Sequence, residues 1–339
     1  MDYLQNVMGY FDQQQPLCAQ HDKISKDLYQ EYGVKAGLRD ENGKGVLAGL
    51  TNISDIRAFE YVDGVKRPAH GQLLYRGYDV KDLINGSRGG RFAFEEAGYL
   101  LLFGELPTPE KLEEFCRVLG ECRYFRAYIY LCLVTRFGDV PVLRQNTQAK
   151  VSRDPASMAW ELVEEDLDAA SGFLNGLSAD SFYYVSPAAV TALKARVKLY
   201  LGKKGEAKEL AESLIANPNY ALDDFDKIFR SKANKEVIFA FSCLTEDGSS
   251  IKISNQFYSY NHPNKGSYNY RPAGDVMTMY ADNDLRKEVS ITTLDNLNFV
   301  NKYPSGQTGS DPVVISRLAE MYLISAEAQG LNGGLDRLN

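Results

Sequence analysis

The chain has 339 residues, of which 44% are hydrophobic and 24% charged, and it carries a formal net charge of −7. That length suits two domains or one large one, and that apolar share can bury a core, which excludes disorder as the default state. The acidic balance excludes a nucleic-acid binder, since no basic stripe is present to displace counterions.

Cys18, Cys116, Cys122, Cys132 and Cys243 form an odd, scattered set. Such a set reads as reduced thiols rather than a disulfide frame, and no Cys–His pair has zinc spacing, so no metal site is expected. His21, His70 and His262 are isolated from one another, so histidine acid–base machinery would be hard to assemble. The N-terminus lacks a basic start followed by an apolar run, and no segment reaches the ~18 apolar residues of a membrane helix. The expectation is a soluble chain that stays in the cytoplasm.

In chain order, a helical start is followed by the segment "VLAGLTNIS", residues 46–54, which reads as a short strand or extended piece. Gly71 and Gly77 bracket "QLLYR", a hairpin-like piece that turns into a helix at Asp79. Asp79 would cap that helix, with Asp82 at its third position. "FAFEEAGYLLLFGELPTPEKLEEF" predicts a helix pair. Glu95 and Glu96 favour the dipole of the first helix, and Ala97, Leu100, Leu101 and Phe103 form its apolar face. Gly104 ends it, and Thr108 with Pro109 starts the next.

"VLAGLTNIS", "GQLLYRGYDVKDLI" and "FEEAGYLLLFGELPTPEKLEEF" together resemble the N-terminal part of the citrate synthase family, over roughly residues 25–122. The resemblance implies an all-helical homodimer that condenses oxaloacetate with acetyl-CoA. Two histidines and an aspartate do that chemistry, with arginines on the oxaloacetate carboxylates. Those groups lie downstream, in a part of the family this chain does not contain, so no catalytic residue and no cofactor is assigned. Deprotonating acetyl-CoA needs a base and a polarising donor within ~3 Å of one substrate. His70 has no second histidine near it in sequence, and it reads as a surface or packing residue. Arg76 reads as a structural partner rather than a ligand contact.

From residue 124 the pattern changes. "YFRAYIYLCLVTRFGDVPVL" predicts an aromatic helix ending at Gly138. In "DPASMAWELVEEDLDAASGFL", Met158, Leu162, Val163 and Leu167 are expected to face inward. Trp160 could stack on a sugar, but in this pattern it reads as core or rim. "SPAAVTALKARVKLYLGKKGEAKELAESLIANP" has tetratricopeptide-like spacing. Ser186 caps, Pro187 takes the first helical position, and Ala189, Ala192 and Ala195 allow close packing. The second helix presents Ala207, Leu210, Ala211 and Leu214. "DPVVISRLAEMYLISAEAQG" reads as the first helix of another repeat, and "EVIFAFSC", "KEVSITTL" and "LNFVNKYPS" as short strands.

These segments, with "RPAGDVMTMYADNDLR" and "NKYPSG", resemble in order the SusD/RagB family of outer-membrane glycan-binding lipoproteins from Bacteroides-type bacteria, over residues 123–339. The resemblance implies a non-enzymatic protein that holds oligosaccharides for import above a TonB-dependent transporter. The family's signal peptide, lipid-anchoring cysteine, first helices and usual C-terminal stretch are not found. Sugar binding needs flat aromatic faces and amide or charged partners for hydroxyls. The loop residues Asn255, Tyr258, Tyr260, Tyr268, Asn269, Tyr270 and Arg271 supply those types.

The expected fold class is therefore all-α, with tetratricopeptide-like repeats and a few short strands behind a fragment of the citrate synthase helical domain. The expected domains are 1–122 and 123–339, each truncated. No Gly/Ser/Pro linker separates them, which points to a chimera made by gene fusion, recombination or an assembly error. Three functions stay open: a SusD-like glycan binder with an inert partner segment, a citrate-synthase-type acyltransferase, and a helical-repeat interaction protein. A homodimer would run through the citrate-synthase-like part alone.

Overall fold

The fold was taken from a computed structural model, which describes residues 3–35, 49–87, 93–179, 181–230, 233–243, 252–331 and 333–338. The contacts divide the chain into two units, Met1–Val118 and Leu119–Asn339.

The first unit opens with α1 (Tyr3–His21) and the short α2 (Lys26–Glu31). Next come β1 (Ser54–Val62), β2 (Val65–Tyr75) and β3 (Tyr78–Asp79), an antiparallel sheet in that order. The β1–β2 turn is Asp63–Gly64, both with positive φ (52° and 75°). An Asp-Gly pair in this conformation matches the twist of a two-residue hairpin. The expected strand at residues 46–54 is displaced: residues 46–48 lie outside the described residues, 49–53 form no strand, and pairing begins at Ser54. Most side chains of β1 and β2 face water on both sides of the ribbon.

α3 (Val80–Ser87) begins as expected, with Lys81 N donating to Asp79 Oδ1 at 2.9 Å. α4 (Ala93–Phe103) carries Glu95 and Glu96 in its first turn and ends at Gly104, whose φ is +80°. Its buried residues are Tyr99, Leu100 and Phe103. Ala97 and Leu101 are only partly buried, because Tyr99 takes the inward position instead. The Tyr99 ring lies 4.4 Å from Phe103 and 5.5 Å from Phe115, a small aromatic core.

α5 (Pro109–Phe137) starts at the predicted Thr108 cap, where Lys111 N donates to Thr108 Oγ1 at 3.3 Å. It then runs 29 residues through Arg123 without a break, so the two helices expected on either side of residue 123 are one. Gly120 does not interrupt it. A Cβ there would fall 2.6 Å from Leu174 Cγ, so the missing side chain permits a close approach to the next helix.

In the second unit, α6 (Ala156–Leu174), α7 (Pro187–Tyr200), α8 (Lys204–Ile215) and α11 (Leu318–Gln329) pack with the later part of α5 around one core. Ser186 Oγ accepts from Ala189 N at 3.1 Å and Pro187 takes the first helical position. Ala189, Ala192, Ala195, Ala207 and Ala211 are fully buried, which lets the helix backbones come close. Met158 is exposed, against expectation, while Leu162, Val163 and Leu167 are buried. Arg123 and Arg126 both donate to the buried Asp166, at 2.6–2.8 Å. Arg196 of α7 pairs with Glu320 of α11 and donates to the Ile315 carbonyl.

α9 (Phe225–Ile228) precedes β4 (Val237–Phe241), and α10 (Arg286–Ser290) precedes the β5 (Ile291–Leu294) and β6 (Leu297–Val300) hairpin. β7 (Val313–Arg317) pairs antiparallel with β4. The helix expected over "DPVVISRLAE" thus starts five residues later than β7 does, because Val313, Val314 and Ile315 suit a strand and "VIFAF" offers it a partner. The described structure is mainly helical with few strands, as the sequence implies.

Candidate functional site

The tyrosine-rich segment between β4 and α10 is organised by its own backbone. Ser267 N, Tyr268 N and Tyr270 N donate to the carbonyls of Asn255, Tyr258 and Gln256, at 2.7, 3.0 and 3.1 Å. Two stretches of the loop are thereby laced together. Gly266 fits between them because a Cβ would strike the Tyr258 and Asn255 carbonyls. Gly306, at φ +57°, meets the Asn264 backbone in the same way, and Gln307 N donates to Asn264 O at 2.9 Å.

The seven residues picked from the sequence separate into two groups. Tyr258 is fully buried: its hydroxyl donates to Asn301 Oδ1 at 2.8 Å, and its ring lies against His262 and Phe299. Burial raises the Tyr258 pKa, so the phenol stays neutral and serves as the loop's internal pillar. Asn255 is half-buried, and its carbonyl is used in the lacing. By contrast, Tyr260 and Tyr270 are 76% and 66% exposed and present their rings to solvent. Asn269 is exposed, with Nδ2 donating to Gln256 Oε1 at 2.5 Å, and Arg271 is exposed.

Tyr268 and Arg271 line an open groove of about 460 Å3 with Pro272 and with Asn296, Leu297 and Asn298 of the β5–β6 hairpin. Tyr268 adopts a φ of +49°, a conformation bulky residues rarely take, and its ring packs 5.0 Å from Phe299. The groove offers one aromatic ring, one guanidinium and the polar groups of two asparagines. That set can hydrogen-bond a hydroxylated molecule and pack against its C–H faces. Sequence reasoning missed the hairpin side. Its signal was the Asp295–Asn296 pair, both with positive φ, joining the two strands already suspected.

The residues weighed for carbon-acid chemistry are placed otherwise. His70 is exposed on β2, its Nε2 3.2 Å from Lys81 Nζ. His262 is buried, its Nδ1 accepting from Asn264 N at 3.0 Å, and burial lowers its pKa. Arg76 donates to the backbone carbonyls of His21, Asn52 and Leu101, so its partners are carbonyls rather than a carboxylate or ligand. Among the described residues, no group of three or more His, Cys, Asp or Glu is placed to hold a metal ion.

Residues 37–150 match the family model described as the citrate synthase C-terminal domain. A 71-residue stretch is 41% identical to 2-methylcitrate synthase 1 of Corynebacterium glutamicum, covering 21% of this chain and 15% of that relative. Among solved structures, NanU of B. fragilis is 25% identical with a TM-score of 0.56, over 67% of this chain and 57% of its own. A laminarin binding SusD-like protein is 21% identical with a TM-score of 0.57, over 76% of this chain and 69% of its own. Matches over 67% and 76% of the chain exceed the 118 residues of the first unit, so part of each lies in the second. Two likenesses share one chain. Its early sequence is citrate-synthase-like, and its fold is SusD-like. The chain spans about 15% of the length of the first curated relative and about 57% of the first solved structure.

Proposed function

We propose that residues 123–339 form a SusD-like glycan-binding domain that holds an oligosaccharide at the tyrosine loop, and that residues 1–122 are a non-catalytic citrate-synthase-like segment. The observation that carries this reading is a laced loop, on a SusD-like fold, that turns the Tyr260 and Tyr270 rings outward and gives Tyr268 and Arg271 to an open groove. Exposed aromatic rings of this kind supply rigid contact area at low entropic cost. In this reading the α7–α8 pair and α11 are tetratricopeptide-like repeats, the working location is the outer-membrane surface, and the partner is a TonB-dependent transporter. The cytoplasmic expectation finds no support in the fold, and no described helix is long and apolar enough to cross a membrane.

Isothermal titration against a panel of oligosaccharides, laminarin fragments included, tests it. Replacing Tyr260 and Tyr270 together by Ala should weaken binding at least fivefold, and unchanged affinity would sink the proposal. The acyltransferase reading has less behind it: the His70 ring contacts Lys81 Nζ at 3.2 Å, and His262 is buried in the tyrosine loop with its Nδ1 accepting from Asn264 N. An assay for free CoA released from acetyl-CoA and oxaloacetate should give no turnover.

A further inference from the structure

Inside the tyrosine loop, the turn at residues 262–265 is built around a buried imidazole. His262 N donates to the Ser259 carbonyl at 3.1 Å, and the His262 carbonyl accepts from Lys265 N at 2.9 Å. Between these two bonds, His262 Nδ1 accepts from Asn264 N at 3.0 Å. A backbone N–H keeps its hydrogen, so this bond fixes the tautomer: Nδ1 is bare and the ring proton sits on Nε2. The residue is 8% exposed, and its ring lies between those of Tyr258 and Phe299, with centroids 4.5 and 4.9 Å away.

Both of these rings support the groove. The Tyr258 carbonyl accepts from Tyr268 N at 3.0 Å, and Phe299 carries the Tyr268 ring at 5.0 Å. Tyr268 is the aromatic face of the groove. Asn264, the partner of the imidazole, accepts in turn from Gln307 N at 2.9 Å and packs its backbone against Gly306.

A second proton on the ring would occupy Nδ1 and face the Asn264 N–H, setting two donors together with no acceptor between them. It would also bury a charge. Around the ring, Lys265 follows in the turn with its Nζ 5.9 Å over Tyr260, while Arg230 and Asp311 act on Tyr258. β6, which supplies Phe299, has no titratable residue. Burial lowers the His262 pKa from its ordinary 6.5, and none of these charges counters it. The stability contributed by the neutral ring is whole above about pH 6.5 and is lost as pH falls through the lowered native value.

We infer that His262 is a proton-operated latch of the tyrosine loop: when its ring charges, the Asn264 bond breaks, the 262–265 turn opens and the Tyr268 side of the groove loosens. The opening of the turn stands by itself, whereas its effect on oligosaccharide affinity rests on the glycan-binding reading above.

Amide and imidazole NMR on the full chain, from about pH 7.5 to about pH 4.5, tests the latch. The His262 ring should titrate below 6.5, and the amides of Asn264 and Gln307 should shift with the same midpoint. His262→Asn keeps an acceptor for the N–H two residues on, as in an Asx turn, and has nothing to titrate, so that shared shift should vanish. By titration calorimetry, oligosaccharide should bind the native chain at least about fivefold more weakly at about pH 5 than at about pH 7, and the variant equally at both. A His262 midpoint at or above 6.5, or Asn264 and Gln307 amides that do not follow it, would overturn the latch. Amide shifts with equal affinity at both pH values would overturn its hold on the groove. Amide shifts with no oligosaccharide bound at any pH would leave the latch standing and remove the glycan reading instead. Should the variant not fold, the native-chain titration decides.

Discussion

The helices of the second unit and the β1–β2 ribbon of the first handle apolar side chains in opposite ways. In the second unit, Leu162, Leu167 and Leu193 are fully buried among alanine-lined helix contacts. In the ribbon, Ile56, Phe59, Tyr61 and Val65 stand in water, and Lys66 Nζ lies 3.3 Å over the Phe59 ring. A two-stranded hairpin gains little from burial and is marginal by itself, whereas stacked helices gain at every contact. The contrast teaches that local turn chemistry can form an element that packing barely supports.

The largest expected difference is in susceptibility to protease. Chymotrypsin should cut at Phe59 or Tyr61 well before Tyr124 or Leu193, because exposed, weakly packed segments open at low free-energy cost. Equal resistance, read by mass spectrometry of the early fragments, would erase the comparison. Next in size come core truncations followed by urea unfolding. Leu193→Ala should cost about 2–5 kcal/mol. Leu74→Ala, the buried leucine of β2, should cost about 2 kcal/mol or less, because its surroundings are half open to water and collapse easily.

The loop lies between these extremes, since it is irregular yet pinned by backbone bonds. Gly306→Ala should destabilise by more than about 1 kcal/mol, because the residue has positive φ and meets the Asn264 backbone. Loss of glycan binding without loss of global stability would show that this contact serves the loop alone. The smallest effect is a pH slope. Burial raises the pKa of Asp311, opposed by its bonds from Ser305 N and Oγ. The native state therefore holds this proton more tightly than an unfolded aspartate does. Stability from this group falls as pH rises from about 4 through the raised native value. Asp311→Asn should flatten that slope in denaturation midpoints measured across the window.

What could be read from the sequence follows from how local each signal is. Ser186–Pro187, Asp79, Thr108 and Gly104 act within one turn, and each does in the structure what its type and position imply. Asp63–Gly64 is an equally local signal, and a hairpin centred on it starts β1 at Ser54 rather than at residue 46. The errors at β7 and Met158 have another origin. A helical and an extended reading of "VVIS" differ by which partner strand is available, and that partner, β4, lies more than seventy residues away. For the site, residue types were readable and exposure was not. Tyr258 and Tyr260 are two positions apart, yet one is an internal pillar and the other an outward ring, because backbone lacing decides which way each points.

The grip on Asp166 has an ionic consequence. Two guanidinium groups, Arg123 and Arg126, share one carboxylate, and Arg144 nearby is matched by Glu165 and also feels Glu161, so three positive charges face three negative ones. Arg123 is more open to solvent than Arg126, so added salt should loosen its hold on Asp166 first and leave Arg126 as the firmer of the two partners.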